Sequence, residues 1–449
     1  MRIFLTSLLL LLVACIREDA NLRMAAENAS PRAAEPTFVA VEGTSFVRGG
    51  EPYAFVGANM WYAAYLGADA PFGDRERLSR ELDLLLSLGV TNLRILGAAE
   101  ESPYGKSLRI TFRDETDEYD QALLEGLDYA LAEMGKRGMT AVIYLGNFWE
   151  WSGGFGTYLA YTGKEPIDLG DPAHPWPAFP RYVSQFYADE DANALYRDYV
   201  RAVVTRTNSV TGIPYADDPV IMSWQLANEP RPNPDAADGS VEMAPFQTWI
   251  DETAGFIKSI DENHLVSTGN EGAMGCNGSV ACARAAHDGE NVDYVTFHMW
   301  PRNWSWFDPA DADGTFEGTL AQAGDYIDVH VAMAEALGKP AVIEEFGLDR
   351  AGEVLMPGTD ASHRDRLLAM VYGRIEASVA EGGPLVGSAV WAWGGYGRSE
   401  HEDGEWQPGD TSYTGDPPQE PQGRNSIFDA DAETLAIIAR HASALGAAD

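Results

Sequence analysis

An amide and a carboxylate stand side by side where a strand ends, and this pairing is the chain's clearest offer of chemistry. Val220 to Leu226 is apolar and β-prone apart from Ser223 and Gln225. Pro230 and Pro232 then forbid further ladder pairing, so the strand hands Asn228 and Glu229 to the space beyond it. An amide can hold a sugar hydroxyl while a glutamate moves a proton to or from a glycosidic oxygen. That chemistry works with a second carboxylate, and Glu344-Glu345-Phe346-Gly347 offers one after the apolar run Ala341 to Ile343. Successive strand residues face opposite ways, so an undistorted strand would aim only one of Glu344 and Glu345 inward.

The elements that must position these groups recur along the chain. Strand candidates are Ala54 to Asn59, Thr91 to Leu96, Thr140 to Leu145, Val220 to Leu226, Leu265 to Thr268, Tyr294 to His298, Ala341 to Ile343 and Gly387 to Trp393. Helical patterns separate them, as where Leu78, Leu82, Leu85 and Leu86 share one face. Gly89, Gly138 and Gly338 each close a helix just before a strand. Eight strands alternating with helices predict an α/β fold, a (β/α)8 TIM barrel. A doubly wound open sheet is the rival, but no Gly-rich phosphate turn follows the first strand.

What ends each strand is informative. In order come Asn59 with Trp61 and Tyr62, Arg94, Asn147 to Trp151, Asn228 with Glu229, Glu271, His298 to Trp300, Glu344 to Gly347, and Trp391 with Trp393. These groups collect on the C-terminal rim, where barrel active sites sit. Trp149, Trp151, Trp300, Trp304, Trp306, Trp391 and Trp393 suit stacking on sugar rings, with core packing as the alternative for each. The rim loops are elaborated. Tyr158 to Tyr182 is long enough to close one end of a groove, and Ser399 to Arg424, rich in Gly, Pro and acids, is expected to fold over it.

Sixty-nine acidic against 31 basic residues give a formal charge of −38 over 449 residues. Such a surface repels a phosphate backbone, so nucleic acid is excluded as a partner, and it reads as a solubility or salt-adapted surface. A neutral polymer meets no penalty there. One Arg followed by the apolar run Ile3 to Val13 matches a secretory leader and is too short to span a bilayer. Leu12-Val13-Ala14-Cys15 has the form of a bacterial lipobox, which would acylate Cys15 and leave a cell-envelope lipoprotein with residues 16–37 as tether. Simple cleavage and secretion is the alternative. In an oxidising compartment Cys276 and Cys282 form a short disulfide loop, and that pair is a poor zinc site. Asp308, Asp311 and Asp313 miss the alternate-residue spacing of a calcium loop and read as a solvated acidic turn. No metal or cofactor is expected, and the protein is expected to be a monomer.

With these residues in place, the chain from Val39 onward resembles glycoside hydrolase family 5, whose two glutamates end the fourth and seventh strands of a barrel. Within it Gly57-Ala58-Asn59-Met60-Trp61-Tyr62, Asn92-Leu93-Arg94, Trp149-Glu150-Trp151-Ser152-Gly153-Gly154, Thr268-Gly269-Asn270-Glu271-Gly272 and His298-Met299-Trp300-Pro301 resemble its endo-β-1,4-mannanases. Pro421-Gln422-Gly423 and Asn425-Ser426-Ile427-Phe428-Asp429 resemble them too. The resemblance implies Glu229 as acid/base and Glu345, which precedes Phe-Gly as in the family's E-F-G, as nucleophile. Glu344 then faces away from the barrel interior unless the strand end is bulged.

The same resemblance implies Arg94 as the cation beside the nucleophile, Asn228 as partner of the sugar 2-hydroxyl and Trp391 as the floor beneath the reacting sugar. Trp61, Asn147, Trp149, Glu271, His298 and Trp300 complete the implied substrate site. Trp300 departs from the H-x-Tyr of many relatives, and an indole can donate but cannot act as a phenol does. The implied activity is retaining endo-hydrolysis of β-1,4-mannan, galactomannan or glucomannan, with the carboxyl groups about 5 to 5.5 Å apart and Glu229 kept protonated by a raised pKa. Exo-acting β-mannosidase and endo-β-1,4-glucanase are the rival enzymes, and a glycan-binding lipoprotein without catalysis is the rival of another class.

Overall fold

The computed structural model describes residues 37–446, so Cys15 and all but the last residue of the expected tether lie outside it. Three short strands open the described chain: β1 (Val39–Glu42), β2 (Ser45–Arg48) and β3 (Glu51–Pro52), an antiparallel meander. Phe46 of this meander is fully buried and meets Tyr294 edge-on at 5.4 Å. With Phe55, Val142, Met222 and Val342 it forms an apolar plug, clustered apart from the main core.

Eight parallel strands follow. They are β4 (Phe55–Asn59), β5 (Asn92–Leu96), β6 (Thr140–Tyr144), β7 (Ile221–Gln225), β8 (Leu265–Ser267), β9 (Val295–Met299), β10 (Ala341–Phe346) and β11 (Leu385–Val390). Their order in the sheet is β8-β7-β6-β5-β4-β11-β10-β9. The seam between β8 and β9 is bridged by Asp293 N–H to the Val266 carbonyl at 2.8 Å and His298 N–H to the Glu271 carbonyl at 3.2 Å. This is the (β/α)8 barrel, and each strand candidate overlaps one of its strands, the last of them, Gly387 to Trp393, running on past the end of the eighth at Val390. Burial on both faces explains why these strands read as apolar runs rather than alternating ones.

The helices start and stop where their chemistry allows. Asp74, Asp120 and Asp189 cap the helices Arg75–Ser87, Gln121–Lys136 and Glu190–Val204 by accepting from Arg77, Leu123 and Ala192 N–H groups. Gly89, Gly138 and Gly338 take φ of 79°, 69° and 67°, the left-handed turn that ends a helix cheaply only at glycine. Leu78, Leu82 and Leu85 are fully buried, whereas Leu86 is 38% exposed, because the face that meets the barrel is narrower than the expected one. Past β11, the strands β12 (Trp393–Gly395) and β13 (Ile427–Phe428) pair and pin both ends of the long last loop. Cys276 and Cys282 are joined by a disulfide. Asp308 accepts from Ala310 N–H and Asp313 faces His363, so this acidic turn uses its carboxylates locally.

Candidate active site

Glu229 leaves β7 with its backbone in the left-handed region, φ 53°, where a non-glycine residue is uncommon. Its N–H donates to the Gly269 carbonyl at 2.9 Å, and Asn228 N–H to that of Gly146 at 2.8 Å, so both neighbouring loops hold the turn. Gly269 cannot be larger, since a Cβ there would lie 1.9 Å from the Ala227 carbonyl oxygen. The side chain enters a ring of donors. His298 Nδ1 lies 2.7 Å from Oε1, Trp300 Nε1 donates to the same oxygen at 3.3 Å, and Trp149 Nε1 donates to Oε2 at 2.5 Å. Burial would raise the Glu229 pKa, but His298 and the other donors outweigh it and hold the carboxyl below its ordinary value. The sequence expectation of a raised value is therefore reversed, because it counted the neighbouring anion and not the three donors.

Glu345 is met by Arg94, whose Nη1 donates to Oε1 at 2.5 Å. The same guanidinium spans Asn59 Oδ1 at 3.0 Å, Gln225 Oε1 at 2.8 Å and Asn228 Oδ1 at 2.8 Å, so one planar fork sets four side chains. A register shift between Ile343 and Glu345 corrects the simple alternation in β10. Glu344 does not face away. Its carboxylate accepts from Gln225 Nε2 at 2.7 Å and Tyr294 Oη at 3.3 Å, beneath the site. One carboxylate oxygen of Glu229, one of Glu345 and a ring nitrogen of His298 lie within 4.8 Å of one another. That spacing could hold a metal ion, but Arg94 and the two indoles already direct N–H groups at these carboxylates, a set suited to anions and not to a cation.

Around the pair opens a cleft of about 840 Å³. Trp149, Asn228, Glu271, Trp300 and Trp391 line it, while Arg94, Asn147 and His298 stand buried behind those residues. Asn147 accepts from Asn228 Nδ2 at 3.2 Å and from Trp149 N–H at 3.0 Å, shaping the wall without reaching the cleft. Trp61 is a correction. It is fully buried, donates to the Gly415 carbonyl at 3.2 Å and packs edge-on against Tyr62, Tyr65, Trp151 and Tyr413, so it belongs to the core beneath the last loop. Trp393 is likewise buried, donating to Glu81 at 3.1 Å.

Several cleft residues carried no sequence signal strong enough to select them. Arg231, just past the N-E-P turn, pairs with Glu271 and covers the Trp149 ring at 4.8 Å. Burial raises the Glu271 pKa to about 7, and its buried Oε1 has no hydrogen-bond partner among the described residues. Trp176, 61% exposed, and Leu169 bring the Tyr158 to Tyr182 segment to the rim, with Leu169 N–H tied to Glu150 at 2.8 Å. The last loop does cover the cleft. Buried Asp416 organises it by accepting from Gly423, Asn425 and Ser426, and it presents Gln419 and Glu420. Burial and the charge of Asp416 raise the Glu420 pKa to about 8.

A (β/α)8 barrel whose mouth joins two close glutamates, a guanidinium and a tryptophan-lined cleft defines a glycoside hydrolase. The profile of "GH family 5 beta-mannosidase-like" proteins matches residues 36–449, and the chain belongs to that family. Mannan endo-1,4-β-mannosidase 1 of Oryza sativa subsp. japonica is 29% identical over 381 residues, 82% of this chain and 81% of its own. A glycoside hydrolase family 5 mannosidase from Rhizomucor miehei is 35% identical with a TM-score of 0.84, covering 93% of this chain and 99% of its own. The endo-1,4-β-mannanase from Rhizomucor miehei shares the fold at 23% identity and a TM-score of 0.65, covering 91% and 99%.

Proposed function

We propose that the protein hydrolyses internal β-1,4-mannosidic bonds of mannan, galactomannan or glucomannan with retention of configuration. The observation that carries retention is the spacing of the glutamates, whose nearest oxygens lie within 4.8 Å. Inverting enzymes leave about 6.5 to 9.5 Å between the carboxyl groups for a water, whereas retaining ones use about 5 to 5.5 Å. Glu345, held by Arg94, attacks the anomeric carbon while Glu229 protonates the leaving oxygen. Glu229 then draws a proton from the water that releases the glycosyl-enzyme. In this reading Asn228, fixed by Arg94, takes the 2-hydroxyl, and Trp391, in the cleft wall, takes the face of the reacting sugar. The mannan endo-1,4-β-mannosidases of Oryza sativa support the substrate class.

A second reading, removal of single mannose units from chain ends, is favoured by the walls that Gln419, Glu420, Leu169 and Trp176 add to the cleft. The closer likeness to the Rhizomucor miehei mannosidase than to the endo-mannanase of that organism points the same way. A panel of plain mannan, galactomannan, glucomannan and a β-glucan, with products sized over time, separates the readings. Internal cleavage gives an early fall in viscosity and a ladder of oligomers; end-wise action gives mannose alone; faster cleavage of the β-glucan overturns the mannan assignment.

We also propose a lipid anchor at Cys15, resting on Leu12-Val13-Ala14-Cys15. Cys15→Ser is expected to move the protein from the membrane fraction to the soluble one with unchanged specific activity. Mass spectrometry finding an unacylated N-terminus after Ala14 in the wild type would end that reading.

A further inference from the structure

The order of the strands tells the two ends of the cleft apart. β11 and β7 are four steps apart in the ring of eight, so Trp391, just past β11, and Glu229, past the end of β7, stand on opposite sides of the mouth. With the reacting sugar on Trp391, as in the function given above, the glycosidic oxygen meets Glu229. The leaving unit then continues over the loops after β7 and β8.

The loop after β8 brings Met274, Asn277 and Gly278 to the cleft. Its inner side has no slack. A Cβ at Gly272 would lie 2.1 Å from His330 Nε2, and one at Gly275 would lie 3.0 Å from the Glu271 Cβ. Its outer side is a small covalent ring, in which the disulfide joins Cys276 to Cys282 with Cα atoms 5.7 Å apart. Both cysteines are buried, whereas Asn277 and Gly278 between them are exposed. Cys282 belongs to the helix Val280–His287, which Ser279 caps by accepting from Cys282 N–H at 3.1 Å. The turn is thus fastened to a helix as well as to a strand.

Asn277 sits at its tip with φ 55°, a conformation that asparagine tolerates better than most residues. Gly278 N–H donates to the Ala273 carbonyl at 2.8 Å and Ser279 N–H to that of Cys276 at 2.9 Å, which closes the turn behind it. Its Nδ2 donates to the Asn233 carbonyl at 3.0 Å, so the loop after β7 fixes the plane of the amide. No described group donates to Oδ1. An oriented carbonyl oxygen on the rim of a cleft accepts from a hydroxyl at little cost in entropy.

We propose that Asn277 is a specificity-determining residue for the leaving sugar, its Oδ1 accepting from a hydroxyl of that unit, and that the Cys276–Cys282 ring is the positioning device that holds it there. This rests on the β-mannoside hydrolysis proposed above and adds to it a preference for sugar over other leaving groups.

The test compares kcat/KM on a nitrophenyl β-mannoside, followed by nitrophenol release, with that on mannobiose, and likewise on the longer members of both series. Each pair shares the sugars before the scissile bond and differs in whether a hydroxyl-bearing unit leaves. Asn277→Gly keeps the backbone turn and removes the amide. It should lower kcat/KM on the oligosaccharides by about two- to tenfold, the worth of one neutral hydrogen bond, and leave nitrophenol release unchanged. The pair Cys276→Ala with Cys282→Ala should show the same split and add no further loss to Asn277→Gly, because it acts through that residue. Equal losses on both kinds of substrate in Asn277→Gly, or none on either, overturn the proposal. Losses of the cysteine pair that add in full to those of Asn277→Gly overturn the role of the ring. A wild type inert on every β-mannoside overturns the function itself, an outcome distinct from any split between the two series.

Discussion

Glu345→Ala is expected to lose turnover on every β-mannoside by roughly ten-thousand-fold or more, because no other group can form the glycosyl-enzyme. Arg94 donates to Glu345 at 2.5 Å, and among the described residues no second carboxylate shares this position, since Glu344 is spent on Gln225 and Tyr294. The cavity left by the side chain admits azide, which should attack from the same face and yield a glycosyl azide of inverted configuration. Glu229→Ala should differ in kind. Losing a general acid and base costs about a hundred- to ten-thousand-fold on ordinary leaving groups, but an activated aryl mannoside needs no acid. The glycosyl-enzyme should then accumulate as a burst, and azide should release it with net retention. An adduct trapped on Glu344, or an inverted sugar as the wild type's first product, would overturn the assignment of roles.

How far these roles could be read from the chain depends on how local the cause is. The barrel strands announce themselves as apolar runs because both faces are buried, and Gly89, Gly138 and Gly338 mark helix ends because only glycine takes their φ without cost. Glu229 and Asn228 were visible through the prolines that stop β7 beside them. The errors lie where distant segments decide. Trp61 reads as a rim residue by position, but the segment carrying Tyr413 and Gly415 folds over it, 354 residues later in the chain. Glu344 was turned inward by an irregularity in β10, and no periodic pattern encodes a register shift.

The residues passed over fail for the same reason. Arg231 looks like a loop cation until Glu271 arrives from the loop after β8 to pair with it and the Trp149 ring lies beneath it. Glu420 lies in a Gly- and Pro-rich stretch whose shape depends on Asp416 gathering backbone N–H groups. The meander β1 to β3 escaped because its strands are of two to four residues, too short for a period to show.

Arg94→Met should be the most damaging single change that leaves both glutamates in place. The side chain is buried, and its fork binds Glu345, Asn59, Gln225 and Asn228. Methionine fills much of the volume but leaves Glu344 and Glu345 as buried carboxylates without their cation. Removing one partner of such a buried set costs about 3 to 5 kcal/mol. Relief comes by protonation, which spares the fold and disables the nucleophile, so the two properties should answer to pH in opposite senses. A carboxyl whose proton affinity is higher folded than unfolded contributes stability that is full below the unfolded pKa, about 4.3 for Glu, and fades as pH rises through the folded value. The thermal midpoint of Arg94→Met, relative to wild type, should therefore fall as pH increases from acid to neutral. Activity should rise over the same range as the nucleophile regains its charge. Arg94→Lys separates charge from geometry, since an ammonium can reach Glu345 but cannot also span Gln225 and Asn228 with a rigid fork. It should recover most of the stability and little of the turnover, with the larger defect on substrates whose 2-hydroxyl meets Asn228. If Arg94→Met tracks the wild type in both profiles, the guanidinium does not govern the charge of Glu345, and another group must keep the nucleophile ionised.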